Sequence, residues 1–315
     1  MSVVRREGLE PTCLAAPAPK AGASTNSATL AAVACTKKRD KNNVLYPRVS
    51  VGHYENFPVA SLLLPAPLRA PIEVIYRFAR SADDIADEGN DAPDMRLAKL
   101  AVYQTRLAKI ASGETPDDPL FREVAGIVRS HRLPTQLFRD LLDAFAQDVT
   151  KKRYANFAEL LDYCGRSANP VGRLLLHLFK RTTDSDLARS DAICSALQLI
   201  NFWQDVEIDH AKGRIYLPQD EMARHGVTEG HLAGRRCDQA WRALMEFQVI
   251  RSRNLLLSGK SLGRSLPGRV GLEIRATIQG GLRILEKIQT ARYDVFNRRP
   301  VLGAFDWPLL LLRAV

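Results

Sequence analysis

From Leu68 onward apolar residues recur at helical spacing, and Pro or Gly stands at nearly every break in the pattern. The spacing predicts a first helix over 71–88, with Pro71 near its start and Gly89 beyond its end. Further helices are expected over 95–112, 120–132 and 134–150, then a pair at 157–165 and 170–181 split at Asn169-Pro170. A long helix over 189–211 follows, with Gly213 past its end, and 229–258 and 270–298 complete the set. No alternating run of useful length, no Asn-Gly or Gly-Gly hairpin signal and no fixed-period repeat interrupts this pattern. The expectation is one all-α domain of roughly eight to ten helices over 49–315.

Residues 1–48 break with that pattern. They hold Ala-Pro and Ser-Thr clusters followed by Lys37-Lys38-Arg39, with neither helical nor strand period. Three readings stay open: a disordered extension, a transit peptide, against which Glu7 and Glu10 count, or an upstream stretch placed before a true start near Val49. A secretory signal is not expected, because no continuous apolar segment follows the charged start. The net charge is +10, and this extension carries eight Lys/Arg against three Asp/Glu, so half of the excess lies outside the expected domain. With 46% hydrophobic and 25% charged residues in 315, a wholly disordered or fibrous chain is excluded. No apolar run reaches the ~18 residues of a membrane span, although Trp307-Pro308-Leu309-Leu310-Leu311-Leu312 is apolar enough to touch a bilayer. Five scattered cysteines without a CxxC pair point to a reducing, cytoplasmic setting rather than a disulfide scaffold or zinc site. The core charges are mixed and carry no recognition motif, which argues against nucleic acid as a partner.

Two acidic stripes carry the chemistry. The first helix closes on Asp83-Asp84-Ile85-Ala86-Asp87-Glu88, with Asp83 and Asp87 four apart on one face. Carboxylates at a helix C-terminus repel one another and the helix dipole, so cations are required there. Arg80 and Tyr76 continue the stripe one and two turns back. On the long helix Gln198, Asn201, Asp205 and Asp209 form a second stripe, the last three at i, i+4 and i+8 along ~12 Å of one face. Its flanks are apolar (Ala196, Leu197, Leu199, Ile200, Phe202, Trp203), so the stripe is expected to point inward, where carboxylates need partners. Oxygen donors without His or Cys suit Mg²⁺ held together with a diphosphate. Lys212-Gly213-Arg214 lies just beyond, and an arginine there suits phosphate oxygens.

Taken together, these segments resemble the squalene/phytoene synthase family. The stretch FPVASLLLPAPLRAPIEVIYRFARSADDIADE is similar to the family's first signature and NFWQDVEIDHAKGRIYLP to its second. The resemblance implies a terpenoid-synthase-type helical bundle around a central apolar cavity, bound Mg²⁺ and ionisation of a prenyl diphosphate. Carried over by position, Asp83, Asp84 and Asp87 would hold metal on one side, and Asn201, Asp205 and Asp209 on the other. Tyr76, Arg80, Gln198, Arg214, Arg69, Asn56 and Phe57 would line the diphosphate and substrate site. Tyr163, in LLDYCGRSANPVG, would be the active-site tyrosine beside Asp83 and Asp87 as catalytic residues. Ala168, Val171, Gly172, Leu175 and Leu176 are candidates for a hydrocarbon tunnel or for simple helix packing.

Three features bring the resemblance nearest to the hydroxysqualene synthase branch of hopanoid biosynthesis: His53-Tyr54-Glu55-Asn56-Phe57, Ser167-Ala168-Asn169-Pro170-Val171-Gly172, and Gly281 where a tyrosine is common. That branch converts presqualene diphosphate and water to hydroxysqualene, and a glycine at 281 would either leave room for the water or simply serve helix packing. NADPH is not expected, though the missing GxGxxG does not exclude it. The alternatives are head-to-head condensation of two farnesyl diphosphates to presqualene diphosphate or squalene, a phytoene-type reaction, or a basic helical binder without activity. Lipid substrates would place the enzyme in the cytoplasm or on the inner face of the membrane, in reach of other enzymes of the squalene pathway.

Overall fold

A computed structural model describes residues 64–315, and the expected site residues Asn56 and Phe57 lie outside them. Fourteen helices occupy this span, more than the pattern alone suggested. They are α1 (Ala66–Asp87), α2 (Pro93–Ala111), α3 (Pro119–His131), α4 (Thr135–Thr150), α5 (Phe157–Ser167), α6 (Asn169–Leu178) and α7 (Asp184–Gln204). The second half has α8 (Val206–Ala211), α9 (Gln219–Arg224), α10 (Glu229–Ala233), α11 (Gln239–Ser258), α12 (Leu262–Ser265), α13 (Gly268–Thr290) and α14 (Asp306–Ala314). Among the described residues the one β-type contact is an isolated parallel bridge between Arg153 and Ile215.

The differences from the expected boundaries have local causes. Helix α1 begins five residues before Pro71, with another proline in its first turn, so Pro71 falls in the second turn. Helix α7 begins at Asp184 because the Thr183 side chain accepts from the Asp186 amide (3.1 Å) and two aspartates favour the helix's positive end. The long helix expected over 189–211 breaks at Asp205, whose φ of −108° and ψ of 17° leave helical values and separate α7 from α8. The 229–258 segment breaks between α10 and α11, where Asp238 caps the second helix by accepting from the Trp241 amide (3.0 Å).

The apolar faces bury into two clusters. One joins α1, α2, α3 and α4 around Phe78, whose ring meets Phe121 and Phe138 edge-on at 5.8 and 5.1 Å. The other joins α5, α7, α11 and α13 around Trp203, Trp241, Tyr163 and Phe202. Helix α6 belongs to both, with Leu174 and Leu175 in the first and Leu176 in the second. The two acidic stripes therefore lie on opposite sides of a seam: α1 in the first cluster, α7 and α8 in the second. Among the described residues no helix is long and apolar enough to cross a membrane.

Candidate active site

The carboxylates crowding the end of α1 have the cation they require. Arg80 reaches Asp84 and Glu88 at 2.7 Å each and Asp83 at 3.4 Å. Burial works against its charge, but the three carboxylates outweigh that and raise its proton affinity. Asp83 is buried, while the Asp84 side chain is 41% exposed with one oxygen against Arg80.

Asp87 is neutralised from the other side of the seam. Gly213 adopts φ +75°, a left-handed turn that ends α8 and launches Arg214. The turn is pinned by the Arg214 amide donating to the Asp209 carbonyl (2.8 Å) and the Ile215 amide to the Lys152 carbonyl (3.0 Å). Both terminal nitrogens of Arg214 then donate to the Asp87 carboxylate, one at 3.0 Å, in a buried two-pronged pair, and Lys212 lies 3.8 Å away. The same guanidinium donates to the Asp148 carbonyl at 3.3 Å.

The second stripe survives the break in its helix. The Asp205 amide still donates to the Asn201 carbonyl and the Asp209 amide to the Asp205 carbonyl, both at 2.9 Å. Asp205 is buried and accepts from Arg299 at 2.6 Å. Burial drives the Asp209 carboxyl well above its usual range, and neighbouring Asp205 and Asp87 add to the rise against Arg214 and Lys212. Asp87 and Asp209 thus feel one another across the seam.

Beneath the stripes lies an aromatic floor. Phe202 and Tyr216 stack at 3.8 Å, and Tyr154 and Tyr163 close in on Tyr216 at 5.6 and 5.9 Å. Tyr163, fully buried, donates to the Asp148 carboxylate at 2.6 Å. Burial raises the Asp148 carboxyl to about 7, opposed by Arg214 and by the hydrogen bond from Tyr163.

The structure brings Arg80, Asp83, Asp87, Tyr163, Asp205, Asp209 and Arg214 to this seam, with Tyr76 and Asn201 half-buried and Gln198 buried on the same two helices. Arg69 is elsewhere. It is exposed near the start of α1, ~21 Å along the helix axis from Asp83, and donates to the Leu64 carbonyl at 3.1 Å. Asp148, Arg299 and Tyr216 were not singled out from the sequence. For Asp148 a signal existed: a lone carboxylate one turn past Phe145 and Ala144 on the apolar face of α4.

For two sets of small residues the structure decides between the readings, in favour of packing. Gly281 leaves no room for water: a Cβ there would lie 2.8 Å from Leu197, 2.9 Å from Leu256 and 3.3 Å from Ile200. It is the point where α13 presses onto α7 and α11. Gly172, Leu175 and Leu176 do line a cavity with Ile193, Leu197 and Ile274, but it measures about 20 Å³, room for about one water.

Among the described residues no three carboxylate, His or Cys side chains converge as a ready-made metal cluster; the acids are drawn onto arginines instead. Mg²⁺ nevertheless fits the donor set, because it takes one or two carboxylates and completes its shell with waters and substrate phosphates. Every acidic donor at the seam is an oxygen, and basic groups suited to phosphate stand beside them.

The squalene/phytoene synthase family model matches residues 51–306. Hydroxysqualene synthase of Zymomonas mobilis is 35% identical over 268 residues, 84% of this chain and 88% of that protein. 15-cis-Phytoene synthase of Synechococcus elongatus is 30% identical over 283 residues, 85% of this chain and 91% of that one. Among solved structures, squalene synthase HpnC from Alicyclobacillus acidocaldarius superposes with a TM-score of 0.72 at 35% identity, covering 76% of this chain and 90% of its own. A dehydrosqualene synthase with bound ligand shares the fold (TM-score 0.73, 24% identity, 80% and 87% covered). With the family model spanning most of the chain and its all-helical, terpenoid-synthase-type fold shared with these structures, the chain belongs to the squalene/phytoene synthase family, prenyltransferase-type enzymes that act on prenyl diphosphates.

Proposed function

We propose that the protein converts presqualene diphosphate and water to hydroxysqualene and inorganic diphosphate, in the supply of squalene for hopanoids. The carrying observation is the junction at Arg214, one side chain that touches the acidic stripe at Asp87 and the aromatic floor at Asp148. A leaving diphosphate and the cation it leaves behind can be held on either side of that residue. The identity with the Zymomonas mobilis hydroxysqualene synthase supports the choice of product.

In this reading Arg80, Arg214 and Lys212 orient the diphosphate. Asp83, Asp87, Asn201, Asp205 and Asp209 would hold Mg²⁺, with Asp84 at the margin; when bound, it neutralises the departing diphosphate. Tyr76 and Gln198 flank the same cradle. The rings of Phe202, Tyr216, Tyr163 and Tyr154 face the cation with π-density and exclude bulk water. One water would add its oxygen to the ring-opened cation and lose a proton to the Tyr163 oxygen as Tyr163 passes its own proton to the Asp148 carboxylate, a relay supported by their 2.6 Å hydrogen bond. No nicotinamide is consumed.

The similarity to 15-cis-phytoene synthase favours a second reading, head-to-head condensation of two prenyl diphosphates. One assay separates them. Purified protein with Mg²⁺ is given presqualene diphosphate or farnesyl diphosphate, with and without NADPH, and the product is identified by mass. Hydroxysqualene from presqualene diphosphate without NADPH is the expected result. Turnover of farnesyl diphosphate with no use of presqualene diphosphate would overturn it. Both lipids would bring the enzyme to the inner face of the cell membrane, near other enzymes of the squalene pathway.

A further inference from the structure

The C-terminal helix α14 has one buried face and one apolar face turned outward. Asp306, Leu310 and Ala314, at i, i+4 and i+8, are buried. Asp306 accepts from Arg283 (2.7 Å), from Lys287 and from the Gly303 amide (2.7 Å), while Arg275 donates to the Ala314 carbonyl, so both ends of the helix are tied to the body. On the outer side Phe305 is 97% and Leu312 76% exposed, with Leu311 and Val315 also exposed. A rigidly held helix that presents such side chains to water calls for an apolar partner.

The charges around it identify the partner. Residues 259–315 hold ten Lys/Arg against four Asp/Glu, a net of +6, whereas residues 49–258 hold 27 against 28. The folded part's whole basic excess therefore sits in this C-terminal segment. Every exposed charged residue in it is basic: Lys260, Arg264, Arg269, Arg292, Arg298 and Arg313. Arg264 borders the helix directly, because Arg275 bridges the Ala314 carbonyl to that of Gly263 (2.7 Å). Arg313, on the helix itself, is paired with Glu286 at 2.7 Å, so Arg264 and the exposed Arg269 at the start of α13 are left to complement a bilayer surface carrying anionic headgroups.

We propose that α14 docks the enzyme on an anionic lipid surface, with Phe305, Leu311, Leu312 and Val315 in the acyl boundary and Arg264 and Arg269 on the headgroups. The consequence reaches the active site. Arg299, paired with Asp205, precedes Asp306 by seven residues, so at most ~25 Å of chain separates the carboxylate seam from the docking helix. This goes beyond the proposed reaction and holds whichever prenyl diphosphate is turned over.

Flotation of the full chain with vesicles of phosphatidylcholine, with or without phosphatidylglycerol, tests it. The protein is expected to float with the phosphatidylglycerol vesicles and to be released by high salt. Phe305→Asp with Leu312→Asp should lower partitioning by roughly tenfold or more, and Arg264→Glu with Arg269→Glu should abolish the preference for phosphatidylglycerol. Turnover of detergent-dispersed substrate should stay unchanged in both, which separates docking from the chemistry. The proposal fails if the protein does not float with anionic vesicles at low salt, or if the variants partition like the parent. It also fails if sedimentation shows a dimer that Leu312→Asp dissociates while no vesicle is bound.

Discussion

Asp148 shows how a single residue can link the two halves of the site. Its carbonyl accepts from Arg214 and its carboxylate from Tyr163, so it stands between the acidic seam and the aromatic floor. If the ionised carboxylate accepts the proton passed through Tyr163, Asp148→Asn should lower kcat by about 10²-fold and remove an ionisation near 7 from the pH–rate profile. A merely structural role would lower activity without moving that profile. Asp83, Asp87, Asp205 and Asp209 were legible in the sequence because i, i+4 spacing on a helix makes a face. Asp148 offered one signal, its place on an apolar face, but its partners Tyr163 and Arg214, like the Asp205 partner of Arg299, are brought to it only by folding. Glu273 gives a cleaner pH test, since burial alone raises its carboxyl, to about 8. The folded protein keeps this proton between roughly pH 4.5 and 8 while the unfolded chain releases it, so stability must fall as pH rises through that window. In Glu273→Gln the urea midpoint should decline less between pH 5 and pH 8 than in the parent, by up to a few kcal/mol of unfolding free energy. An equal decline in both would show that Glu273 does not keep its proton.

At the scale of elements, most helices were visible because prolines, glycines and apolar periodicity agree, and what escaped were breaks without such punctuation. Asp205 interrupts 189–211 with no glycine or proline nearby in the helix, at a residue whose side chain is held by Arg299 on a distant segment. The carboxylates at the break still follow one another turn by turn, so reading them as one stripe was sound even though the helix is two. Gly281 is the opposite case, where similarity suggested chemistry and the structure shows packing. Its missing Cβ lets α13 approach α7 and α11, and the nearest atoms belong to Leu197, Leu256 and Ile200 in a filled core. Gly281→Ala should therefore overpack the contact and cost about 1–3 kcal/mol, a fall in Tm of several degrees by calorimetry. An unchanged or raised Tm would mean that the helices can part to admit a larger side chain, and the water-pocket reading of this position would reopen.

Over the whole molecule, the +10 charge is divided between the N-terminal extension and the C-terminal segment, and the seam between the two apolar clusters is left to internally paired charge. Arg80 with Asp83, Arg214 with Asp87 and Arg299 with Asp205 each hold a buried or half-buried carboxylate. Removing one partner of a buried pair strands the other, at about 3–5 kcal/mol. Mg²⁺ alone would draw Asp87 away from Arg214 and leave the guanidinium without the carboxylate it grips, with the Asp148 carbonyl at 3.3 Å. Diphosphate alone would draw Arg214 away and deprive the carboxylate of its two-pronged partner, with Lys212 at 3.8 Å. Arriving together they would exchange partners, Mg²⁺ to the aspartates and phosphate oxygens to the arginines, and no buried charge would be abandoned. Binding should therefore be strongly synergistic. Mg²⁺ or inorganic pyrophosphate added singly should move the Tm little, while the two together at about 100 times their dissociation constant should stabilise by about 2.7 kcal/mol, roughly 5–10 °C. Asp83→Ala and Asp205→Ala should lose that joint shift while keeping their helical circular dichroism. Additive shifts from the two components, or a joint shift that survives both substitutions, would show that these aspartates do not share a metal–diphosphate site.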